Sequence, residues 1–393
     1  MEKAADETIV LCLNSGSSSL KFALYAMGEK KQEVLAKGAV ENIGAENAMF
    51  WLNDGHGETL SQQPQTVADH HQAVRLIIDL LGNRDFNLPA VVGHRVVHGG
   101  SEYDQPQKIT WELLQDLKRL VDFAPLHMPG AILGIEAVSA QFGQLPQVAC
   151  FDTAFHRRMP QRAQRYPLPA SLWDEGVRRY GFHGLSYEYI VQELGREVQG
   201  RLIIAHLGNG ASMAAVNDGM AQDTTMGFTP TGGLLMGSRC GDIDPGVIIH
   251  LTQHKHYDAD ALNTLLNQQS GLLGISAISS DVKTLLDCRA TEPQAQLALD
   301  MFCYYARKHI GALSAVLGGV DRLVFTGGIG ERSALMRQWI CEGLDYLGIH
   351  LDETQNASHA TLISSGACTV NVIPTNEDLM IARHAYKALR APK

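Results

Sequence analysis

The sequence predicts an α/β protein made of two duplicated domains, and three observations carry that expectation. Short apolar runs alternate along the chain with segments of helical spacing. One strand–loop–strand unit occurs twice, nearly half a chain apart. The 393 residues, 45% hydrophobic and 19% charged, suit two or three ordered domains with substantial cores.

The first copy of the unit begins at residues 9–13 (IVLCL), an apolar run too short for a helix and suited to a strand buried on both faces. Residues 14–19 are all small and polar, and apolar residues resume at Leu20, Phe22 and Leu24. Gly16 lets the backbone turn, so N–H groups and the hydroxyls of Ser15, Ser17, Ser18 and Ser19 can converge on one anion, with Lys21 at the rim. Met alone, such a loop reads as an ordinary serine-rich hairpin turn. The second copy changes that reading: residues 202–207 (LIIAHL), the small residues Gly208, Asn209, Gly210, Ala211 and Ser212, then 213–216, ending at the Asn217-Asp218-Gly219 turn signal. Setting Gly16 on Gly210 superposes Ser18 on Ser212, so each domain is expected to offer a small-residue loop to a shared cleft.

Between the copies, residues 26–67 are polar and broken by glycines, consistent with exposed strands and turns, and 70–81 read as an amphipathic surface helix. Residues 93–100 (GHRVVHGG) form a strand ending in two glycines, in which Arg95 needs a partner if buried. A structural carboxylate is as good a partner for Arg95 as a ligand. Residues 131–142 predict a helix and 147–151 a strand that delivers Asp152 at its C-terminal end, where ligands of α/β sheets collect. Residues 157–180 look like a connecting excursion, and His183 precedes a helix capped by Ser186. A glycine-rich stretch at 229–245 carries Arg239, and 294–317 predict a long, largely buried helix. A strand at 322–326 leads through Gly327-Gly328-Ile329-Gly330-Glu331 to a helix from about Arg332, and a last helix spans 378–389.

The formal net charge of -10 argues against a nucleic-acid partner bound through its phosphates. Seven scattered cysteines without a CxxC pair look like reduced thiols of a cytoplasmic protein. No run approaches the length needed to cross a membrane, and the first residues carry no targeting signal.

Eight motifs in this order resemble the acetate kinase family of acyl-phosphate-forming carboxylate kinases: NSGSSSLK at 14–21, GHRVVHGG at 93–100, FDTAFH at 151–156, YGFHGLS at 180–186, HLGNGAS at 206–212, MGSRCGDIDPG at 236–246, FTGGIGE at 325–331 and PTNEDLMIAR at 374–383. The resemblance implies two duplicated actin-like ATPase (ribonuclease H-like) domains around a nucleotide cleft. Residues 1–152 plus 377–393 would form the N-terminal domain, closed by the C-terminal helix, and 153–376 the second, carrying most of the nucleotide site. Carried over by motif, Asn14, Ser17, Ser19 and Lys21 would lie near the transferring phosphoryl group. Arg95 and Arg239 would clamp carboxylate and phosphoryl group, His183 would donate to the phosphoryl oxygens, and Asp152, Glu377 and Asn14 would serve Mg²⁺, with Mn²⁺ as a substitute. ATP or ADP would meet His206, Asn209, Gly210, Asp281, Lys283, Gly328, Ile329 and Gly330. Val97, Leu126, Phe182 and Pro230 would form the small apolar pocket for the acyl group. The family also implies a homodimer, with acetate and ATP as its small-molecule substrates.

The chemistry explains these residue types. A carboxylate substrate has a pKa of about 4 to 5 and arrives ionised, so it needs no general base. It needs relief from repulsion, because two like charges at 4 Å cost about 4 kcal/mol at an effective dielectric of about 20. In-line transfer stabilised electrostatically follows, with Asp152 orienting and binding metal rather than abstracting a proton. The sequence departs from the usual family pattern at Met128, at Thr231-Gly232, at Val282-Lys283 and at Arg332. A propionate kinase is the nearest alternative, because one methylene shifts preference by only about 1 to 3 kcal/mol. A nucleotide-driven module of the actin or heat-shock type is the alternative of a different class, and it leaves Arg95 and Arg239 without a purpose.

Overall fold

A computed structural model describes residues 7–16, 18–82, 86–125 and 127–391. Two compact units result: the first runs to Ala154 and resumes at Asn376, and the second spans Phe155–Thr375.

The first unit holds one sheet of β1 (Thr8–Ser15), β2 (Ser19–Met27), β3 (Gln32–Glu41), β4 (Met49–Asp54), β5 (Thr59–Pro64), β6 (Val91–Val96), β7 (Gln107–Lys108) and β8 (Gln147–Phe151), in the order β5-β4-β3-β2-β1-β6-β8-β7. Strands β1 to β5 form an antiparallel meander, while β6 and β8 run parallel to β1. Every residue of β8 is buried, as expected for a parallel strand covered on both faces. Residues 26–67 are not the exposed excursion the composition suggested. Ala36, Val40, Phe50 and Leu52 of β3 and β4 are buried with Phe22 and Leu24, because their period-two spacing gives the meander one apolar face.

Helices His70–Gly82 and Met128–Phe142 cover that face, packing Ala73, Ile77 and Val138 with Leu11, Leu13 and Val92. Gly93, the next residue of β6, points the other way and meets the C-terminal helix Glu377–Arg390. A Cβ at Gly93 would lie 2.4 Å from Ile381 Cγ2, so only glycine admits the helix at this distance.

The second unit holds β9 (Arg201–Leu207), β10 (Ala211–Asn217), β11 (Met220–Thr224), β12 (Arg322–Thr326) and β13 (Thr369–Val372), in the order β11-β10-β9-β12-β13. The first three are antiparallel, and β12 and β13 run parallel to β9. Order and directions repeat those of β3-β2-β1-β6-β8, so the ribonuclease H-like arrangement of actin-like ATPases occurs twice. The hairpin registers refine the repeat. Ser15 pairs with Leu20 and Leu207 with Ala211, so one turn is residues 16–19 and the other the shorter 208–210. Glycine on glycine therefore does not superpose the strands in register.

Helix Gly184–Leu194 contributes Tyr187 and Ile190 to a core with Leu202, Ile204, Ala214, Val216 and Val324. The long helix Pro293–Leu317 buries one stripe, including Ala298, Phe302 and Ile310, against the same sheet. Three local expectations change. Residues 157–180 contain the short helices Gln161–Gln164 and Ala170–Asp174, with the Arg178 guanidinium 4.0 Å from the Trp173 ring centre. The helix after β12 starts at Gly327, whose φ of +76° and close approach to the Leu207 carbonyl both require glycine. Ser186 lies inside its helix rather than capping it, and His183 occupies the N-cap position with a φ of 58°.

Candidate active site

The first unit gathers polar groups at the C-terminal ends of β1, β6 and β8. Asn14 and Lys21 face one another across the β1–β2 ladder, and Gly16 N donates to Ser19 O at 2.8 Å. The oxygen side of the turn is held from behind, since His70 Nε2 lies 2.8 Å from Gly16 O and a Cβ at Gly130 would come within 2.4 Å of it. Of the expected loop residues, Ser17 lies outside the described residues, as does Leu126 of the expected acyl pocket. Lys21 is exposed, and its ammonium has no partner among the described residues.

Arg95, at the end of β6, is clamped. Its Nε and Nη2 both donate to Asp152 Oδ2, at 2.9 and 2.6 Å, and Glu377 Oε2 lies 3.8 Å from the same Nε. Asp152 is only 1% exposed, against 20% for Arg95 and 18% for Glu377. Burial opposes the charge on Arg95, but the carboxylates of Asp152 and Glu377 outweigh it and raise the guanidinium pKa. Its Nη1 takes no acceptor among the described residues, which leaves one donor edge for a ligand. The structural carboxylate and the ligand partner weighed for Arg95 are thus compatible. Glu377 opens the C-terminal helix, where a negative charge is favourable, and Asn376 caps that helix by accepting from Leu379 N at 3.1 Å.

A divalent cation fits this donor set. Asp152 and Glu377 lie on one guanidinium nitrogen, with Asn14 at the end of the neighbouring strand, and all three offer hard oxygens. No cluster of three or more His, Cys, Asp or Glu residues of metal-binding geometry exists among the described residues. Mg²⁺ matches such a sparse set, because it is held by one or two carboxylates plus waters and substrate phosphates.

The second unit brings His183, His206, Gly210 and Arg239 together. The rings of His183 and His206 stack with centres 4.3 Å apart. A Cβ at Gly210 would lie 3.5 Å from His183 Nε2 and 3.6 Å from Arg239 Nη1. Arg239 donates to Pro230 O at 3.2 Å, and its loop closes on itself through Gly233 N to Asp242 Oδ1 at 2.7 Å and Asp242 N to Gly233 O at 2.9 Å. Exposed Asn209 packs its side chain against Gly237, where a Cβ would strike Asn209 Oδ1 at 2.0 Å.

The remaining nucleotide candidates sit in different settings. Gly328, Ile329 and Gly330 lie in the first turn after β12, and a Cβ at Gly328 would meet nothing within 4 Å. Glu331 Oε1 ties this turn down by accepting from Gly327 N at 2.9 Å and Thr375 N at 3.0 Å. Asp281 caps helix Val282–Cys288 through Thr284 N at 2.8 Å, and exposed Lys283 pairs with Asp287 at 3.6 Å. Phe182 is buried, Pro230 is half-buried, and Val97 packs on the core beside Val96 in the first unit.

Sequence reasoning missed several supports. Arg337 is fully buried and spends its guanidinium on Asn356, His359 and the carbonyls of Gly330 and Glu331. Thr375 and Tyr187 stand behind the histidine pair, and His70 behind the first turn. A glycine turn ending at Gly330 and followed seven residues later by an arginine on a helix was the available signal for Arg337.

The duplicated fold is that of the actin-like ATPases, with a small-residue turn after β1 and another after β9. The model of the acetokinase family matches residues 9–383. The chain belongs to that family. It is 44% identical to the acetate kinase of Heliobacterium modesticaldum over 97% of this chain and all of that protein. Among solved structures, Porphyromonas gingivalis acetate kinase is 37% identical with a TM-score of 0.89, covering 98% of this chain and 100% of that one. A propionate kinase from Francisella tularensis is 35% identical with a TM-score of 0.92, covering 97% and 99%. No helix among the described residues is long and apolar enough to cross a membrane.

Proposed function

We propose that the chain is an acetate kinase, reversibly transferring the γ-phosphoryl group of ATP to acetate with Mg²⁺, giving acetyl phosphate and ADP by direct in-line displacement. The observation that carries this reading is Arg95, buried against Asp152 and Glu377 yet keeping Nη1 open. A cation fixed in this way can accept an anion without reorganising, which is the condition for electrostatic catalysis.

In this reading Arg95 holds the acetate carboxylate and Arg239 the phosphoryl group, while His183 donates from Nε2 to the phosphoryl oxygens. The bound metal would be held by Asp152, Glu377 and Asn14, directly or through water, and would neutralise charge on the transferring phosphate. Asp152 is already spent on Arg95, which supports orientation over proton abstraction. Asn14, Ser17, Ser19 and Lys21 would receive the phosphoryl group. His206, Asn209, Gly210, Asp281, Lys283 and 328–330 would bind the nucleotide, so that the second unit carries most of that site. Val97, Leu126, Phe182 and Pro230 would enclose the methyl group.

Propionate is the second substrate to weigh, because both acetate and propionate kinases are among the structural relatives. The cytoplasm, where ATP is supplied, suits a chain whose seven cysteines form no disulfide. A homodimer suits helix Pro245–Lys255, which has no buried residue and leaves Val247 46% and Ile249 56% exposed. Sedimentation velocity tests it, with a monomer at micromolar concentration as the adverse result.

Trapping acyl phosphate as hydroxamate, with acetate, propionate and butyrate against ATP, GTP and pyrophosphate, tests the assignment. The highest kcat/KM with acetate and ATP supports it. ATP consumption that ignores the carboxylate refutes it.

A further inference from the structure

Building on the kinase reading, we propose that Ser212 and Ser186 are positioning residues. They lock His183 and His206 as a stacked pair of neutral imidazoles whose Nδ1 atoms accept and whose Nε2–H groups are presented as donors.

The two rings are built alike. Ser212 Oγ lies 2.8 Å from His183 Nδ1, and Ser186 Oγ lies 2.8 Å from His206 Nδ1. Each serine has a second hydroxyl behind it: the Tyr187 hydroxyl on Ser212, and Thr375 Oγ1, donating at 2.9 Å, on Ser186. A serine hydroxyl has one proton to give. Ser186 receives from Thr375 and so directs its own proton to His206 Nδ1, which fixes the His206 proton on Nε2. Either hydroxyl can give the proton between Tyr187 and Ser212, and the proposal assigns it to Tyr187, which leaves the Ser212 proton for His183 Nδ1 and the His183 proton on Nε2.

Ser186, Ser212 and Tyr187 are all fully buried, so bulk water does not compete for these bonds. The two rings stack with centres 4.3 Å apart, and the Arg239 guanidinium shares the Gly210 turn with His183 Nε2. A neutral Nε2–H donates to an anion without the cost of placing a second cation beside Arg239.

The duplication explains how the pair arose in the fold. His206 and Ser212 are cross-strand partners one step from the turn, as Asn14 and Lys21 are in the first unit. One copy offers its polar pair directly to a ligand. The other uses the serine to orient a histidine delivered by the N-cap of the preceding helix, Gly184–Leu194.

Two measurements test this. In protein labelled with ¹⁵N-histidine at pH 8, with rings assigned by His183→Gln and His206→Gln, both rings are expected to carry the proton on Nε2 only, and Ser212→Ala is expected to release that preference at His183. Protonated Nδ1 in either ring of the wild type overturns the proposal, and this readout does not depend on turnover. In the hydroxamate assay, Ser212→Ala is expected to lower kcat by about 10- to 100-fold with little change in the KM for ATP, and Ser212→Thr to retain most activity. In a His183→Ala background the Ser212→Ala loss should vanish. An equal loss in that background overturns the proposal, since it would reflect structure alone. If Ser212→Ala does not fold, Tyr187→Phe runs the same cycle, and a loss that vanishes supports while no loss or an additive one overturns. A wild type that makes no acyl phosphate would refute the kinase reading and leave the tautomer measurement to decide this one.

Discussion

Replacing Arg95 by alanine should destabilise the protein in a way that depends on pH. The substitution removes both hydrogen bonds to Asp152 Oδ2, at 2.9 and 2.6 Å, and leaves a carboxylate that is 1% exposed without its cation. Breaking a buried pair from one side costs about 3–5 kcal/mol. Glu377, 18% exposed and 3.8 Å away, can hydrate and adds little. Protonating that carboxyl removes the buried charge its cation no longer offsets, so the folded variant binds that proton more tightly than its unfolded chain does. The gap to wild type is then widest at pH 7 and narrows toward pH 4. Urea unfolding followed by circular dichroism at pH 7 and pH 5 measures it. Asp152→Asn in the Arg95→Ala background should recover at least half of the loss at pH 7. A variant within about 1 kcal/mol of wild type, or a gap that does not shrink with acid, would show that Asp152 does not depend on Arg95 for its charge.

Gly93→Ala places a methyl 2.4 Å from Ile381 Cγ2 and should cost about 1–3 kcal/mol, with Ile381→Val recovering part of it in thermal unfolding. Arg337 satisfies five acceptors with its five N–H groups, and a lysine offers only three donors. Arg337→Lys should therefore cost about 2 kcal/mol or more and raise the KM for ATP more than that for acetate; equal changes in both would separate Arg337 from the Gly328–Gly330 turn. Burial lowers the pKa of His94 to about 4 and that of His156 to about 4, each below the usual 6.5, against single hydrogen bonds to Gln147 and to Phe182 O. Their neutral forms favour the fold above pH 6.5, and that contribution is lost as pH falls from 6.5 toward 4. His94→Gln should flatten the acid limb of the stability profile in that window, and an unchanged slope would contradict it.

Where apolar spacing and turn residues coincide, the sequence was informative. The runs at 9–13 and 202–207, each closed by small residues, marked both central strands, and their repetition marked the duplication. Register was harder, because the turns at 16–19 and 208–210 differ in length by one residue, while the eye aligns glycine with glycine. The burial of Ala36, Val40, Phe50 and Leu52 was missed because alanine and glycine lower the apparent hydrophobicity of strands that pack well. Long-range polar partners left no local trace. Thr375 reaches Ser186 across 189 positions, and Arg337 lies on a helix whose composition gives no warning of a guanidinium with only neutral acceptors. Motif residues such as Asp152 and His183 could be named from the chain, but their supporting shell is a property of the fold.

In the proposed reading, fixed cations let an ionised carboxylate take a phosphoryl group from ATP. The decisive experiment follows ATP, ADP and acetyl phosphate together by ³¹P NMR, with and without acetate, in wild type, Arg95→Ala and Arg239→Ala. Acetyl phosphate is expected in step with ADP only when acetate is present, with a loss of about 100-fold or more in each variant. ADP released with inorganic phosphate at a rate indifferent to acetate, or variants as fast as wild type, would contradict it.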